Sequence, residues 1–293
     1  MVPYYCWRPF LLPSVYPPML ILSTINSLTH LAAANTIFCD GTFYACPSMF
    51  HQFYTVHAMV DGSMYPLVFA LLPGKDEVIY THFFSQIRHQ LQLQPDTVFI
   101  DYETATNNTA RTVFPGVIVK GCFFHFTQCI WRKKQICGLQ KYYKENNDIT
   151  LLVRRTAVLP LVPQHLVEDV WINALEDIGE ADKVPDTTSF TDYVTEFWVD
   201  GHRFLWNHYQ TEGPRTINHL EGWHNKIKKK VPHAHPNIYQ IIKVLQNTQA
   251  VTECTIIQCA AGGARPPKRR RYRVTDTSFN YSETGTSNDS STW

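Results

Sequence analysis

The sequence predicts an α/β fold: a mixed five-stranded sheet flanked by helices, with an all-helical stretch set into it. Three observations carry this. Three strand-like runs follow one another between residues 35 and 72, two of them joined by Asp61-Gly62, a hairpin turn pair. From residue 78 the pattern alternates helix, strand, helix, strand, which packs helices against a sheet. From Thr127 to about Asn207 helical periodicity takes over.

In order, residues 1–18 are rich in proline and aromatics without a period and read as an irregular lead-in. Met19-Leu-Ile-Leu22 has the composition of a short strand, and Ser23 or Thr24 is placed to cap a helix running to about Ala34. The sheet strands are expected at about 35–44, 53–60, 65–72, 97–101 and 117–125. Between them, Ile79, Phe83, Ile87 and Leu91 recur at steps of four, one face of a helix. A second helix from Thr104 stops at Pro115-Gly116. Helices are expected at 151–159, 164–178, 191–198, 216–230 and about 236–257. The expected segments are a lead-in (1–18), a first part of the core (19–126), a helical insertion (127–213), the C-terminal core helices (214–260) and a disordered tail (261–293), basic and then polar.

The 293 residues are 44% hydrophobic and 17% charged, with a net charge of +1. That excludes a disordered chain, and any basic surface must be local. Eight cysteines include no CxxC pair and lie mostly in apolar runs, as suits buried free thiols. No run is long and apolar enough for a membrane span, and prolines break the apolar N-terminus, so neither a span nor a signal peptide is expected.

Asp40 follows the apolar Ile37-Phe-Cys39 and precedes Gly41. It is either the first residue of a tight turn or a strand-end acid that needs a partner. Asp101 ends a second strand in the same way, with Glu103 two residues on as an alternative. Two such acids in one sheet approach only when neutralised. Two divalent cations about 3.5–4 Å apart would do so, and carboxylates suit Mg²⁺. On the helix after Gly213-Pro214, Asn218, Glu221, Asn225 and Lys228 share one face with His224 beside it, and Lys226, Lys228, Lys229 and Lys230 gather at its end. The same helix also reads as a surface helix whose lysines complement its dipole. Cys122 and His125 make a CxxH pair, incomplete as a zinc site, and on a strand they would face opposite ways. Structural zinc is not expected there. His57, His82 and His89 read as structural. The run 265–273, six of nine residues basic, suits a nuclear-import signal or a nucleic-acid contact.

Taken together these motifs resemble the transposase domain of Mutator-like elements (MULE), a family of DDE transposases. The resemblance rests on Asp40-Gly-Thr-Phe43, Phe50-His-Gln-Phe-Tyr-Thr-Val-His57, Ala70-Leu-Leu-Pro-Gly-Lys75, Asp101-Tyr-Glu-Thr-Ala105, Phe114-Pro115, Gly121-Cys-Phe-Phe-His-Phe-Thr-Gln128, Arg215-Thr-Ile-Asn-His-Leu-Glu-Gly-Trp-His224 and His235-Pro236, in family order over about 19–260. It implies an RNase H-like fold with a helical insertion before the last catalytic helix. It also implies a catalytic, metal-binding triad of Asp40, Asp101 and Glu221 carrying two Mg²⁺ (or Mn²⁺) ions. The activity implied is cleavage of a DNA strand by water, then attack of the freed 3′-hydroxyl on target DNA. Cys122 and His125 match the family's CxxH signature and, with Glu103, Asn218 and His224, are the supporting residues. Arg132, Lys133, Lys134, Arg215, Lys226, Lys228, Lys229 and Lys230 are the candidate contacts to double-stranded DNA, both transposon ends and target. A nuclear location follows, and homo-oligomers are left open. Where the family often has Arg-Thr-Asn-Asn, this chain has Ile217 third. Such proteins usually carry an upstream DNA-binding region, so a second reading is a catalytically silent, domesticated DNA- or chromatin-binding derivative.

Overall fold

The computed structural model describes residues 18–178 and 185–263. The expected lead-in up to residue 17 and the tail from 264, with its basic run, lie outside the described residues. The chain divides into two compact units, 1–253 and 254–293. In the second, the described part is the end of a long helix and residues 261–263.

β1 (Leu20–Leu22) leads into α1 (Ile25–Ala32), whose first turn is capped by the Thr24 hydroxyl accepting from the Ser27 amide. β2 (Thr36–Thr42), β3 (Gln52–Val60) and β4 (Ser63–Leu72) form an antiparallel meander. Asp61 and Gly62 both take positive φ, 49° and 75°, as a two-residue hairpin loop of this kind demands. Pro66 sits in β4 where the register with β3 shifts, and before the stretch of β4 that pairs β1, so its missing N–H leaves no ladder gap. α2 (Glu77–Leu91) is capped by Asp76, whose carboxylate accepts from the Ile79 amide. β5 (Thr97–Ile100), α3 (Thr104–Val113) and β6 (Ile118–Gly121) complete the alternation.

The sheet has six strands in the order β1-β4-β3-β2-β5-β6, not the five expected. The additional strand is β1, whose three residues pair antiparallel with Phe69–Leu71 at the β4 edge. β5 lies parallel to β2, and β6 parallel to β5. One face of the sheet is covered by helix α2, where Tyr80, Phe83 and Phe84 pack on Tyr54.

The run expected as one strand over 117–125 is two elements. β6 ends at Gly121 and α4 (Phe123–Ile136) begins two residues later. An unbroken apolar run has no periodicity that separates strand from helix. What breaks it is packing: a side chain at Gly121 would meet the Tyr102 ring at 2.2 Å. The helical stretch continues through α5 (Tyr142–Glu145), α6 (Asn147–Val158), α7 (Val167–Glu176), α8 (Thr188–Tyr193), a π-helical turn at Val194–Val199 and α9 (Arg203–Trp206). Its core is aromatic, with Trp171, Trp198 and Trp206 buried among Phe126, Phe190 and aliphatic residues.

α10 (Asn218–Lys228) and α11 (Ile238–Ala260) return to the sheet. Ile227 of α10 and Ile241 and Leu245 of α11 pack on Phe53, Phe69 and Leu71. Ile217 and Leu220 pack on Phe38 and Phe99. The sheet is thus held between α2 on one face and α10 with α11 on the other. Among the described residues no helix is long and apolar enough to cross a membrane, and Cys39, Cys46 and Cys122 are buried free thiols.

Candidate active site

Asp40 and Asp101 are brought together by strand register. Phe38 stands beside Phe99 in the parallel β2–β5 pair, and their rings stack at 4.8 Å. Two residues further along each strand come Asp40 and Asp101. Asp40 lies within β2, whereas β5 ends at Ile100 and Asp101 follows it. The carboxyl ends of neighbouring parallel strands are where open α/β sheets commonly place their sites. Each acid accepts the amide of its successor: Gly41 N–H donates to Asp40 at 2.9 Å, and Tyr102 N–H to Asp101 at 2.6 Å. The Asp-Gly pair at 40–41 is therefore not a hairpin turn, since Gly41 stays in the ladder opposite Tyr54.

Glu221 arrives from the first turn of α10, on the sheet face that Phe38 shares. Its contact with the strand-end acids runs through His125. His125 Nε2 lies 3.4 Å from Glu221 and Nδ1 lies 3.4 Å from Asp101. Cys122 caps α4 and His125 lies in its first turn, so the CxxH pair shares a helical face rather than the opposed faces of a strand. Burial pulls the His125 pKa down, but the hydrogen bond to Cys122, Glu221 and the charge of Asp101 outweigh it and raise it to about 11. His125 Nδ1 is buried and makes no hydrogen bond. Its approach to Asp101 is charge contact without alignment.

His224, on α10, does the same for Asp40. Its Nδ1 lies 3.2 Å from the Asp40 carboxylate and its Nε2 lies 3.0 Å from the Thr55 hydroxyl. Thr55 is the register partner of Asp40 across β3. Every acid of the trio therefore has a histidine against it. Exposure differs: the Asp40 side chain is 11% exposed and Asp101 52%.

By donor type the three carboxylates suit a hard divalent cation. By position they are not gathered: among the described residues no three His, Cys, Asp or Glu side chains form a metal-binding group, and the His125 ring stands between Asp101 and Glu221.

Glu103 is not on the strand face but is the N-cap residue of α3, turned to the Tyr80 hydroxyl at 2.7 Å and to Lys75 at 3.9 Å. Asn218 opens α10, half-buried. Ile217 is fully buried, and its N–H donates to the Cys122 sulfur at 3.2 Å, so the apolar residue here is a core contact.

Of the basic candidates, Arg132, Lys226, Lys228, Lys229 and Lys230 are exposed, and Lys133 and Arg215 are half-buried. Lys228 lies over the Tyr44 ring and Lys133 over Tyr193. Lys134 does not belong with them. It is buried, and its ammonium lies 3.2 Å from the centre of the Trp131 ring and 4.3 Å from that of Tyr143, with no hydrogen-bond partner. A cation enclosed by its own aromatic neighbours is held by their rings and is not offered to phosphate.

Sequence reasoning missed Thr55, Gln52, Tyr80 and Tyr102. Thr55 has a signal only when register is known. Tyr102 follows Asp101 and packs edge-on against Trp198 at 5.0 Å, tying the helical stretch to the second acid.

No curated protein matches the chain. A family model, the MULE transposase domain, matches residues 36–129, the segment that begins at β2 and holds Asp40, Asp101, Cys122 and His125. Residues 36–129 are therefore a Mutator-like element transposase domain.

Proposed function

We propose that the chain is a DDE-type transposase core of RNase H-like fold that cleaves and joins DNA by phosphoryl transfer. The observation that carries this is the placing of Asp40, Asp101 and Glu221: two by parallel register, the third through the histidine it shares with Asp101. The strand order β4-β3-β2-β5-β6, three antiparallel strands and then two parallel ones, supports the fold assignment.

In this reading Asp40, Asp101 and Glu221 would hold two Mg²⁺ or Mn²⁺ ions, which would supply activation of the attacking water or hydroxyl and stabilisation of the leaving oxygen. His125 and His224 orient the carboxylates, and Thr55 fixes the His224 ring. Buried Cys122 fixes the turn from which His125 projects. The exposed lysines at the end of α10 and Arg132 on α4 are proposed to bind the phosphates of double-stranded DNA, with affinity that falls with salt. The basic run at 265–273 is the proposed nuclear-import signal.

One observation favours a second reading, a silent DNA-binding derivative: among the described residues no three donors are gathered for a metal. Labelled DNA incubated with the protein and Mg²⁺ or Mn²⁺ separates the two. Nicking by the natural chain that is abolished in Asp101→Asn, with DNA binding retained, supports the transposase. Binding without nicking supports the derivative, and equal nicking by the variant removes Asp101 from the chemistry.

A further inference from the structure

We infer that Gln52, Tyr80 and Glu103 are positioning residues: a hydrogen-bonded brace on the far face of the sheet that sets the two strand-end acids relative to each other. This rests on Asp40 and Asp101 acting together, as proposed above.

The brace begins at Gly41. A side chain there would meet the Gln52 amide oxygen at 2.5 Å and the Tyr54 ring at 3.3 Å. Gly41 thus leaves room for the Gln52 amide to lie against its backbone, directly after Asp40. The Gln52 amide is fixed in orientation. Its nitrogen donates to the Gly74 carbonyl at 3.1 Å and to the Tyr80 hydroxyl at 2.9 Å. A carbonyl only accepts, so the nitrogen must face it and the oxygen must face Gly41. The Tyr80 hydroxyl donates in turn to Glu103 at 2.7 Å. Thr106 donates to the same carboxylate oxygen at 3.3 Å, and Lys75 lies 3.9 Å from the other.

Glu103 is two residues beyond Asp101. A chain of contacts thus runs from Gly41, through its packing on the Gln52 amide and then two hydrogen bonds, to Glu103, the N-cap residue of the helix that follows Asp101. Gln52 and Tyr80 are 3% and 0% exposed. The Gln52 nitrogen, the Tyr80 hydroxyl and the Glu103 carboxylate are each hydrogen-bonded, and a paired network is stiff. Residues alternate across a strand, so Gly41 and Gln52 face away from the side on which Asp40 meets His224. The brace can be altered without touching the carboxylates.

The test compares Tyr80→Phe, Glu103→Ala and Glu103→Gln with the natural chain by native-state hydrogen exchange. The amides of Gly41 and Tyr102 are the reporters, because each is bonded to one of the acids. Tyr80→Phe keeps the ring packed against Tyr54 and Phe84 and removes only the hydroxyl. In it and in Glu103→Ala both amides are expected to exchange about five- to tenfold faster, the worth of about one hydrogen bond. Amides of α6 should be unchanged. Glu103→Gln keeps an acceptor for Tyr80 and should stay near the natural rate. Unchanged reporters in Tyr80→Phe would overturn the inference. So would uniform acceleration across the sheet, or Glu103→Gln behaving as Glu103→Ala. Mn²⁺ titration calorimetry is run beside it, with affinity expected to fall about fivefold in Tyr80→Phe. A natural chain that binds no Mn²⁺ would refute the two-cation reading, while the exchange rates still decide the brace.

Discussion

The sheet and the helical stretch from α4 to α9 differ in where their buried hydrogen bonds lead, although each also buries groups without a partner, His57 Nε2 of β3 among them. In the sheet the bonds lead somewhere. Thr55 meets His224, which meets Asp40; Gln52 meets Tyr80, which meets Glu103. In the helical stretch the bonds stay local, Trp171 to Thr195 and Trp206 to the Trp198 carbonyl, while the Lys134 ammonium is caged by rings and the Trp198 indole N–H has no partner. There the interior is three tryptophans, Phe126, Phe190 and aliphatic residues. The difference teaches where a substitution should register. Changes in the sheet should alter the carboxylates at modest cost in stability. Changes in the helical core should cost stability without moving the carboxylates.

The sharpest way to break that contrast is Trp171→Ala. Trp171 is 2% exposed, donates to the Thr195 hydroxyl and makes no hydrogen bond to the three acids. The expected loss is about 3–5 kcal/mol in denaturant unfolding, with the NMR signals of His125 and His224 unmoved. Shifts at either histidine would show that the two regions are not separable.

Next is His208, which joins them. It stacks on Phe99 and donates from Nε2 to the Gly121 carbonyl at 2.8 Å. Burial lowers its pKa from 6.5 to about 4, only partly offset by that hydrogen bond. The folded state thus binds fewer protons than the unfolded state between those values. Its stabilising contribution is full above pH 6.5 and is lost as pH falls toward 4, by about 3 kcal/mol. Unfolding measured from pH 7 to 4 should show this slope. His208→Gln, which keeps a donor and cannot titrate, should flatten it, and an unchanged slope would assign the loss elsewhere.

The smallest effect is expected at Lys134. Replacing it by Met removes a buried cation with no hydrogen bond and keeps the volume, so stability should change by less than about 1 kcal/mol. DNA affinity should not change, whereas Lys229→Ala should weaken it. A loss of DNA binding in Lys134→Met would return this residue to the phosphate-contacting surface.

Much of the sheet was legible because its strands are apolar runs rich in branched and aromatic residues with clear punctuation: Asp61-Gly62, Pro73-Gly74, Pro95-Asp96. The short strand at 19–22 was legible, and β1 bears it out, but three residues do not say what they pair with; its place in the sheet comes from pairing with β4. The β6–α4 boundary escaped because Val117 to Phe126 holds no breaker but Gly121, whose role is to admit Tyr102. The two strand-end acids were legible as charges ending apolar runs. Their bracing was not. His224 and Thr55 lie 169 residues apart, and only register and helix docking join them. Lys134 was misread because periodicity tells which residues share a helix face, not that Trp131 and Tyr143 enclose one of them.

The proposed transposase requires Asp40, Asp101 and Glu221 to form one cation-binding centre, with the His125 ring moved from between Asp101 and Glu221. Iron-directed cleavage tests it most directly: Fe²⁺ is substituted for Mg²⁺, ascorbate and peroxide are added, and the chain is cut wherever the ion is bound. The account predicts cuts close to residues 40, 101 and 221 together, competed by Mg²⁺ and absent in Asp101→Asn. Cuts near one acid alone, or elsewhere in the chain, would contradict it.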